Sequence, residues 1–315
     1  MRAGLLVLIA GCFDPSVTAG APCGANDTCP ADLVCTGGFC VRPGAGADAR
    51  DDAPIDSPPN DAPTDMMMAM GWATPVSIAE LNTQQRDSDP AITANGLELF
   101  FSSTRSGGMG GDDIYYTRRA TTSDPWETPT NLTVLSSASS DLSVEITGDG
   151  QHVWFQSLRS GMGDIYTSNR VGLGWSPPEL VTELSSPTEI EADFGVSPDG
   201  LTVIVSRGDL GSRVLYIASR PSVSSAWSTL ARLDDINNAA DDPSAPSLTN
   251  GASIVYFHAD PVRNIYVSTK VGASYTAPVP VSEVNTAQRD GCPYAPQAND
   301  VMYFERAGDL YATSR

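Results

Sequence analysis

SDPAITANGLELFFSSTRSGGMGGDDIYYTRR, from Ser88 to Arg119, contains an acid and a proline, an Asn-Gly pair, a nearly continuous apolar run and, past a glycine-rich loop, Asp-Ile-Tyr. An Asn-Gly pair between apolar runs predicts a hairpin with a type I′ turn, where φ must be positive. The run ELFFS is too apolar for a strand with one wet face and predicts a strand covered on both sides. The same marks recur in order. Asp149-Gly150, Asp199-Gly200 and Asn250-Gly251 repeat the turn, with Asn299-Asp300 as a looser copy. HVWFQ, TVIVS, IVYFH and VMYFE repeat the strand. Asp164-Ile165-Tyr166, Val214-Leu215-Tyr216, Asn264-Ile265-Tyr266 and Asp309-Leu310-Tyr311 repeat the last mark.

A fourth mark is an aromatic with a proline three residues on: Trp72/Pro75, Trp126/Pro129, Trp175/Pro178 and Tyr275/Pro278, with Trp227 lacking its proline. Proline is tolerated at a sheet edge and not in a central ladder, so this strand is the outermost of its unit. Each unit is thus a four-stranded antiparallel sheet, and five units over residues 71–315 predict an all-β, five-bladed β-propeller. The marks begin with an outer strand at Trp72 and end with a third strand at Tyr311. Ring closure therefore requires WATPVSIAE (Trp72–Glu80) to complete the last blade. NTQQRDSDP (Asn82–Pro90) and NTAQRDGCP (Asn285–Pro293), identical at six of nine positions, are then equivalent crossovers into blades one and five.

The first 12 residues, MRAGLLVLIAGC, place Arg2 before a short apolar run and close on Ile9-Ala10-Gly11-Cys12. This reads as an export signal whose end resembles the bacterial lipobox, with Cys12 as the lipidated residue. It implies a lipoprotein of the bacterial cell envelope, anchored to the outer membrane or cell surface, or periplasmic or secreted where the lipobox is not used. Residues 13–40 hold Cys23, Cys29, Cys35 and Cys40. In an exported chain four such cysteines predict two disulfides; the pairings stay open, Cys23–Cys35 with Cys29–Cys40 being one. Residues 41–70 are rich in Pro, Ala, Gly and Asp and read as a disordered, self-repelling spacer.

The chain has 315 residues, with 38 acidic against 18 basic and a formal charge of −20. That charge opposes nucleic acid as a partner and admits cationic ligands or Ca²⁺. Cys292 reads as a small buried hydrophobe. His152 and His258 read as packing residues in equivalent strands, and no Ser-His-Asp arrangement suggests itself. SGGMGG (Ser106–Gly111) lacks the ending of a phosphate loop and reads as a hairpin loop.

The stretch from Ser88 to Arg119, with its counterparts between Trp72 and Arg315, resembles the TolB-type, WD40-like propeller repeat. The likeness is strongest in the first two units. It implies a protein-binding role, since that family includes periplasmic propellers that take peptides or partner proteins at the channel mouth, and non-catalytic propellers attached to peptidases. TolB itself has six blades, where this sequence has five units.

Nine residues before the turn glycines stand Asp87, Asp141, Glu191 and Asp242, and nine before Asn299 stands Asp290. Placed at the entry to each inner strand, these acids are expected to ring one channel mouth, with Asp89, Glu145, Asp193 and Asp241 adding charge and Arg86 and Arg289 beside two of them. Three readings stay open. Each carboxylate caps its own crossover. The ring holds a cation or a polar ligand, presented by an envelope protein, a peptide or a polysaccharide. Or Asp87, Asp141 and Glu191 serve as the two Asp and one Glu of a five-bladed glycoside hydrolase.

Overall fold

The computed structural model describes residues 71–315 apart from 250 and 297, together with two short strands, Val34–Thr36 and Phe39–Val41. Those two strands pair antiparallel with Cys35 opposite Cys40 in the register. The signal sequence, the disulfides and the spacer lie outside the described residues. The chain divides after Pro63, and the unit from Thr64 onward holds the propeller.

Five four-stranded antiparallel blades form, the first four running from an inner to an outer strand in chain order. The inner strands are Asp87–Ile92, Asp141–Ile146, Glu191–Val196, Asp241–Thr249 and Asp290–Tyr294. The second strands are Glu98–Ser103, His152–Ser157, Thr202–Arg207, Ile254–Asp260 and Val301–Arg306. They are the most deeply covered: Leu99, Phe100 and Phe101 are successive residues with no exposed surface. Successive side chains of a strand point to opposite faces, so burial of all three requires a neighbouring blade on each side. The third strands bring the repeated apolar residue inward, and Ile114, Ile165, Leu215, Ile265 and Leu310 are all fully buried. The tyrosine that comes next stacks on the second strand, as in Phe101–Tyr115 and Phe257–Tyr266, both at 6.0 Å.

The outer strands are short, and prolines interrupt them. In blades two and four the edge is split into two pieces, Gly174–Trp175 with Glu179–Leu180 and Ser274–Tyr275 with Val279–Pro280. Pro177, Pro178 and Pro278 stand in the gaps and have no N–H to donate. Blade five takes its fourth strand from the other end of the propeller: Val76–Ser77 pairs with the third strand, Tyr311 opposite Ser77 and Ala312 opposite Val76. Trp72 packs in the same cluster as Tyr256, Met302 and Phe304, and Arg315 lies over its ring at 4.6 Å.

The turns between inner and second strands differ from the expected type I′. Thr93 and Glu98 close a four-residue loop, Gly96 N–H donates to Thr93 O, and within the loop only Gly96 has positive φ, at +70°. Asn95 is there for its side chain, whose Oδ1 accepts from Thr93 Oγ1 and Leu97 N–H. Asp149 and Asp199 repeat that geometry. In blade five Asn299 itself takes the glycine's place, with φ +53° and its N–H on Pro296 O, so that turn starts one residue earlier than Asn299-Asp300.

The closing strand fixes the first prediction. Trp72→Ala removes a side chain only 8% exposed, and is expected to cost about 3–5 kcal/mol of stability. Urea melts of wild type and variant measure it; a loss near zero would show that closure does not rely on this segment.

Candidate functional site at the channel mouth

The residues at the predicted ring positions do not behave as one group. Four of the five acids are each held inside a separate clasp of their own blade. Asp87 Oδ2 accepts from Thr83 N–H at 2.8 Å and Thr83 Oγ1 at 2.9 Å, while Oδ1 accepts from Ser103 Oγ and Arg105 Nη2, both at 2.6 Å. Arg105 also donates to Leu81 O at 2.7 Å and lies over the Phe101 and Tyr115 rings. Asp141 repeats this with Ser137, Ser157 and Arg159, and Arg159 donates in turn to Leu135 O. Asp290 takes Thr286 N–H and Oγ1, and Arg306 joins it to Val284 O. In Glu191 the clasp is looser: Ser186 N–H donates at 3.0 Å, and Arg207 Nε stands 2.8 Å from Oε1 but off the hydrogen-bond line. All four acids are fully buried. Asp87, Asp141 and Asp290, each with an arginine and two or three further donors, are satisfied by their own crossovers.

Asp242 is different because the blade-four inner strand is bulged. Ser244 pairs with His258 as Ser88 pairs with Ser102, so the register puts Pro243 in the place of Asp87. The serine and arginine places hold Ala259 and Pro261, so blade four has no clasp. Asp242, at φ +49°, accepts from Arg213 N–H at 2.7 Å instead.

The channel wall is built two residues further on. Asp89, Ser143, Asp193, Ala245 and Cys292, the third residues of the inner strands when blade four is counted from Pro243, surround a cavity of about 20 Å³. Four of them adopt φ near +50°. Asp193 bridges blades by accepting from Ser143 Oγ at 2.6 Å and from Ser244 Oγ. Burial raises Glu145 well above the usual carboxylate range, and raises Asp193 with help from the charge of Asp89. Burial works on Asp89 as well, but Arg86 and the donors Cys292, Ser102 and Ser88 hold it below that range. The cavity has room for about one water molecule, so no ligand passes through the channel.

The mouth lies on the side of the crossovers and of the loops between second and third strands, since antiparallel strands put both at one end. Here Thr83, Gln84, Gln85 and Arg86 from the first crossover face Arg263, Arg289 and Glu305 across a cleft of about 560 Å³. Arg86 reaches Asp112 at 3.1 Å, Glu305 at 3.6 Å and Asp89 at 3.9 Å. Arg263 Nε lies 3.1 Å from His258 Nε2, and its Nη2 is 3.9 Å from Cys292 Sγ. Burial lowers His258 well below its usual range, and Arg263, Arg213, Arg289 and Arg86 lower it further, so the imidazole is neutral. Both ring nitrogens face donors, Nε2 the Arg263 Nε–H and Nδ1 the Cys292 backbone N–H at 3.3 Å, and a neutral imidazole accepts through only one of them. Burial and the Asp89 and Glu305 charges also raise Cys292, which stays a thiol.

The two histidines are not in equivalent places: His152 opens its strand and pairs with Asn169, while His258 is fifth in its own and faces the mouth. Gln85 recurs as Gln288, whereas Gln84, Arg263 and Glu305 carry no repeated pattern. Their signal is the opposite one, since blade four breaks the repeat where Arg263 enters. Among the described residues no three or more His, Cys, Asp or Glu side chains are grouped to hold a metal ion, and no helix is long and apolar enough to cross a membrane.

The fold defines a class, the five-bladed β-propeller of four-stranded blades. No protein-family model and no curated protein matches the sequence. Solved structures do match. A GH62 hydrolase in complex with xylotriose shares 11% identity over 78% of this chain and 97% of its own, with a TM-score of 0.52. An alpha-L-arabinofuranosidase from Lactobacillus brevis shares 11% over 76% and 94%, also at 0.52. A putative TolB from Agrobacterium tumefaciens shares 17% over 74% and 76%, at 0.48. At these identities the likeness is one of fold.

The clasps give two stability predictions. Asp141→Ala leaves Arg159 without its carboxylate and is expected to cost about 3–5 kcal/mol. Glu191 is pushed up to about 7, first by burial. Its folded form therefore keeps a proton that the unfolded form has lost, and wild type sheds stability as pH rises from the ordinary glutamate range through 7. Relative to Glu191→Gln, wild type is expected to lose about 2–3 kcal/mol between pH 5 and 8. Thermal melts of both proteins at the two pH values read this directly, and parallel curves would refute it.

Proposed function

We propose that this protein is a binding propeller of the bacterial cell envelope, held to the membrane by a lipid on Cys12, that recognises a protein, peptide or polysaccharide at the crossover face. One observation carries the reading. Four of the five recurring acids are consumed by the clasps, while the cleft beside them presents Gln84, Gln85 and Arg289, whose side chains have no hydrogen-bond or ion-pair partner among the described residues. Open donors beside a closed channel suit recognition at a surface rather than chemistry on a substrate drawn inside.

The glycoside-hydrolase reading requires Asp87, Asp141 and Glu191 to flank an open pocket as base, modulator and acid. Each is fully buried, and Asp87 and Asp141 each spend both oxygens on donors of their own blade. Catalysis would require breaking the contacts that hold the crossovers.

Glycan and peptide arrays probed with the full chain test the proposal. Wild type is expected to retain a subset of ligands that Gln85→Ala loses and Arg118→Gln, on the blade edge, keeps. Shortening of a retained glycan, or equal binding by all three proteins, would sink it. The anchor has its own test: Cys12→Ser is expected to move the protein from the membrane fraction to the soluble fraction, and an unchanged distribution would exclude lipidation there.

A further inference from the structure

The arginines of the propeller divide cleanly. Arg86, Arg105, Arg118, Arg159, Arg170 and Arg207 each have a carboxylate within 4.0 Å, and so do Arg213, Arg232 and Arg306. Arg119, Arg220 and Arg315 lack one, but each lies over a tryptophan ring at 4.2 to 4.6 Å. Of the described arginines only Arg263 and Arg289 have neither, and both line the same cleft. Glu305, Asp193 and Asp89 act on Arg263 only at longer range, so in a chain of formal charge −20 two guanidinium groups without a paired carboxylate at one site can take one from outside.

The rest of the lining says which kind. Glu305 and Asp309 stand in the same cleft as the arginines, so it is not uniformly positive and disfavours a polyanion. Carboxylates accept from hydroxyls, and the amides of Gln84 and Gln85 both donate and accept. No aromatic or large aliphatic side chain lines the cleft, so the apolar anchors on which peptide recognition depends are missing. One carboxylate set among hydroxyls fits all of these groups.

We propose that the cleft binds an acidic sugar, its carboxylate paired with Arg263 and Arg289 and its hydroxyls taken by Gln84, Gln85 and Glu305. The assignment rests on the binding-propeller reading and narrows its ligand to a uronate-bearing glycan. Blade four contributes through Arg263, which its loop carries at φ +56°, where the clasped blades carry clasp residues instead.

Calorimetry on the full chain tests it with four probes: trigalacturonate, its methyl ester, neutral galactotriose and hexaglutamate. Trigalacturonate is expected to bind at least roughly tenfold more tightly than the other three, the difference expected when charge-assisted hydrogen bonds are lost. Its affinity is expected to fall with added salt, to drop by roughly tenfold in Arg289→Gln and to stay unchanged in Arg118→Gln. Arg289 is exposed and makes no side-chain hydrogen bond or ion pair among the described residues, so its variant tests binding rather than folding. Equal binding of ester and acid, an unaffected Arg289→Gln, a preference for hexaglutamate, or no binding of any probe would each overturn the acidic-sugar assignment. Chain-length analysis of the recovered sugar separates the two levels. Shortened product would overturn the binding-propeller reading while leaving an anion site in place.

Discussion

The propeller depends on one buried arrangement: a carboxylate at the entry of an inner strand, an arginine leaving the second strand, and a carbonyl of the preceding crossover, tied in a line. The blades are held to one another mainly by apolar faces, which set spacing but little direction. The clasp supplies direction. It fixes where the chain leaving one blade turns into the next, because Arg105, Arg159, Arg207 and Arg306 each bond a crossover carbonyl while paired with the acid beyond it. The crossover also reaches backward. Asn82 exchanges two hydrogen bonds with Leu310, Asn237 with Leu215 and Asn285 with Ile265, while Ser136 and Ser185 take one N–H each. The repeated phrase that opens with Asn and reaches Asp is thus one splint with two grips.

Blade four does without the clasp. Its acid, serine and arginine places are Pro243, Ala259 and Pro261, and a short helix, Asp234–Asn237, leads into it. The side chains that replace the clasp, His258 and Arg263, turn toward the mouth. A repeat makes each blade stable in the same way, so its shared residues describe the scaffold, and a position that abandons the pattern is free to serve something else.

Architecture was legible in the sequence because strand burial and turn chemistry leave local marks. ELFFS is apolar at every core position since both its faces are covered, and Gly96, Gly150, Gly200 and Asn299 mark the positive φ of the turns between inner and second strands. The closing strand could be placed from phase alone. The turn type was not legible: Asn95 fits a type I′ turn by composition, and only its bond to Leu97 N–H shows that it serves through its side chain. The acids were found, but their contacts were not, because Arg105 and Asp87 are brought together by strand pairing across a hairpin. Counting back from the turn reached the strand entrance, whereas the channel wall is two residues on, at Asp89, Ser143 and Asp193. In blade four the bulge displaced the count altogether, giving Asp242 where the register puts Pro243. The cleft left only a partial periodic trace: Arg86 and Arg289 share one place in the repeated crossover phrase, whereas Gln84 and Arg263 stand where the repeat is not kept.

The closing strand has a mechanical side. Val76–Ser77 joins blade five through two residue pairs flanked by the backbone bonds Ala73 N–H to Ser314 O and Ile78 N–H to Leu310 O, and it is the first element of the propeller that the N-terminal chain reaches. Tension applied through that chain is therefore delivered to the seam of the ring before any other blade feels it. The seam opens by peeling this short strand, with the bonds of Ala73 to Ser314 and Thr313 and of Ile78 to Leu310, and by extracting Trp72, after which blade five exposes its third strand as an edge. The clasps and cores of blades one to three lie outside that path, so a pulled molecule is expected to fail at its seam and keep the rest of its blades.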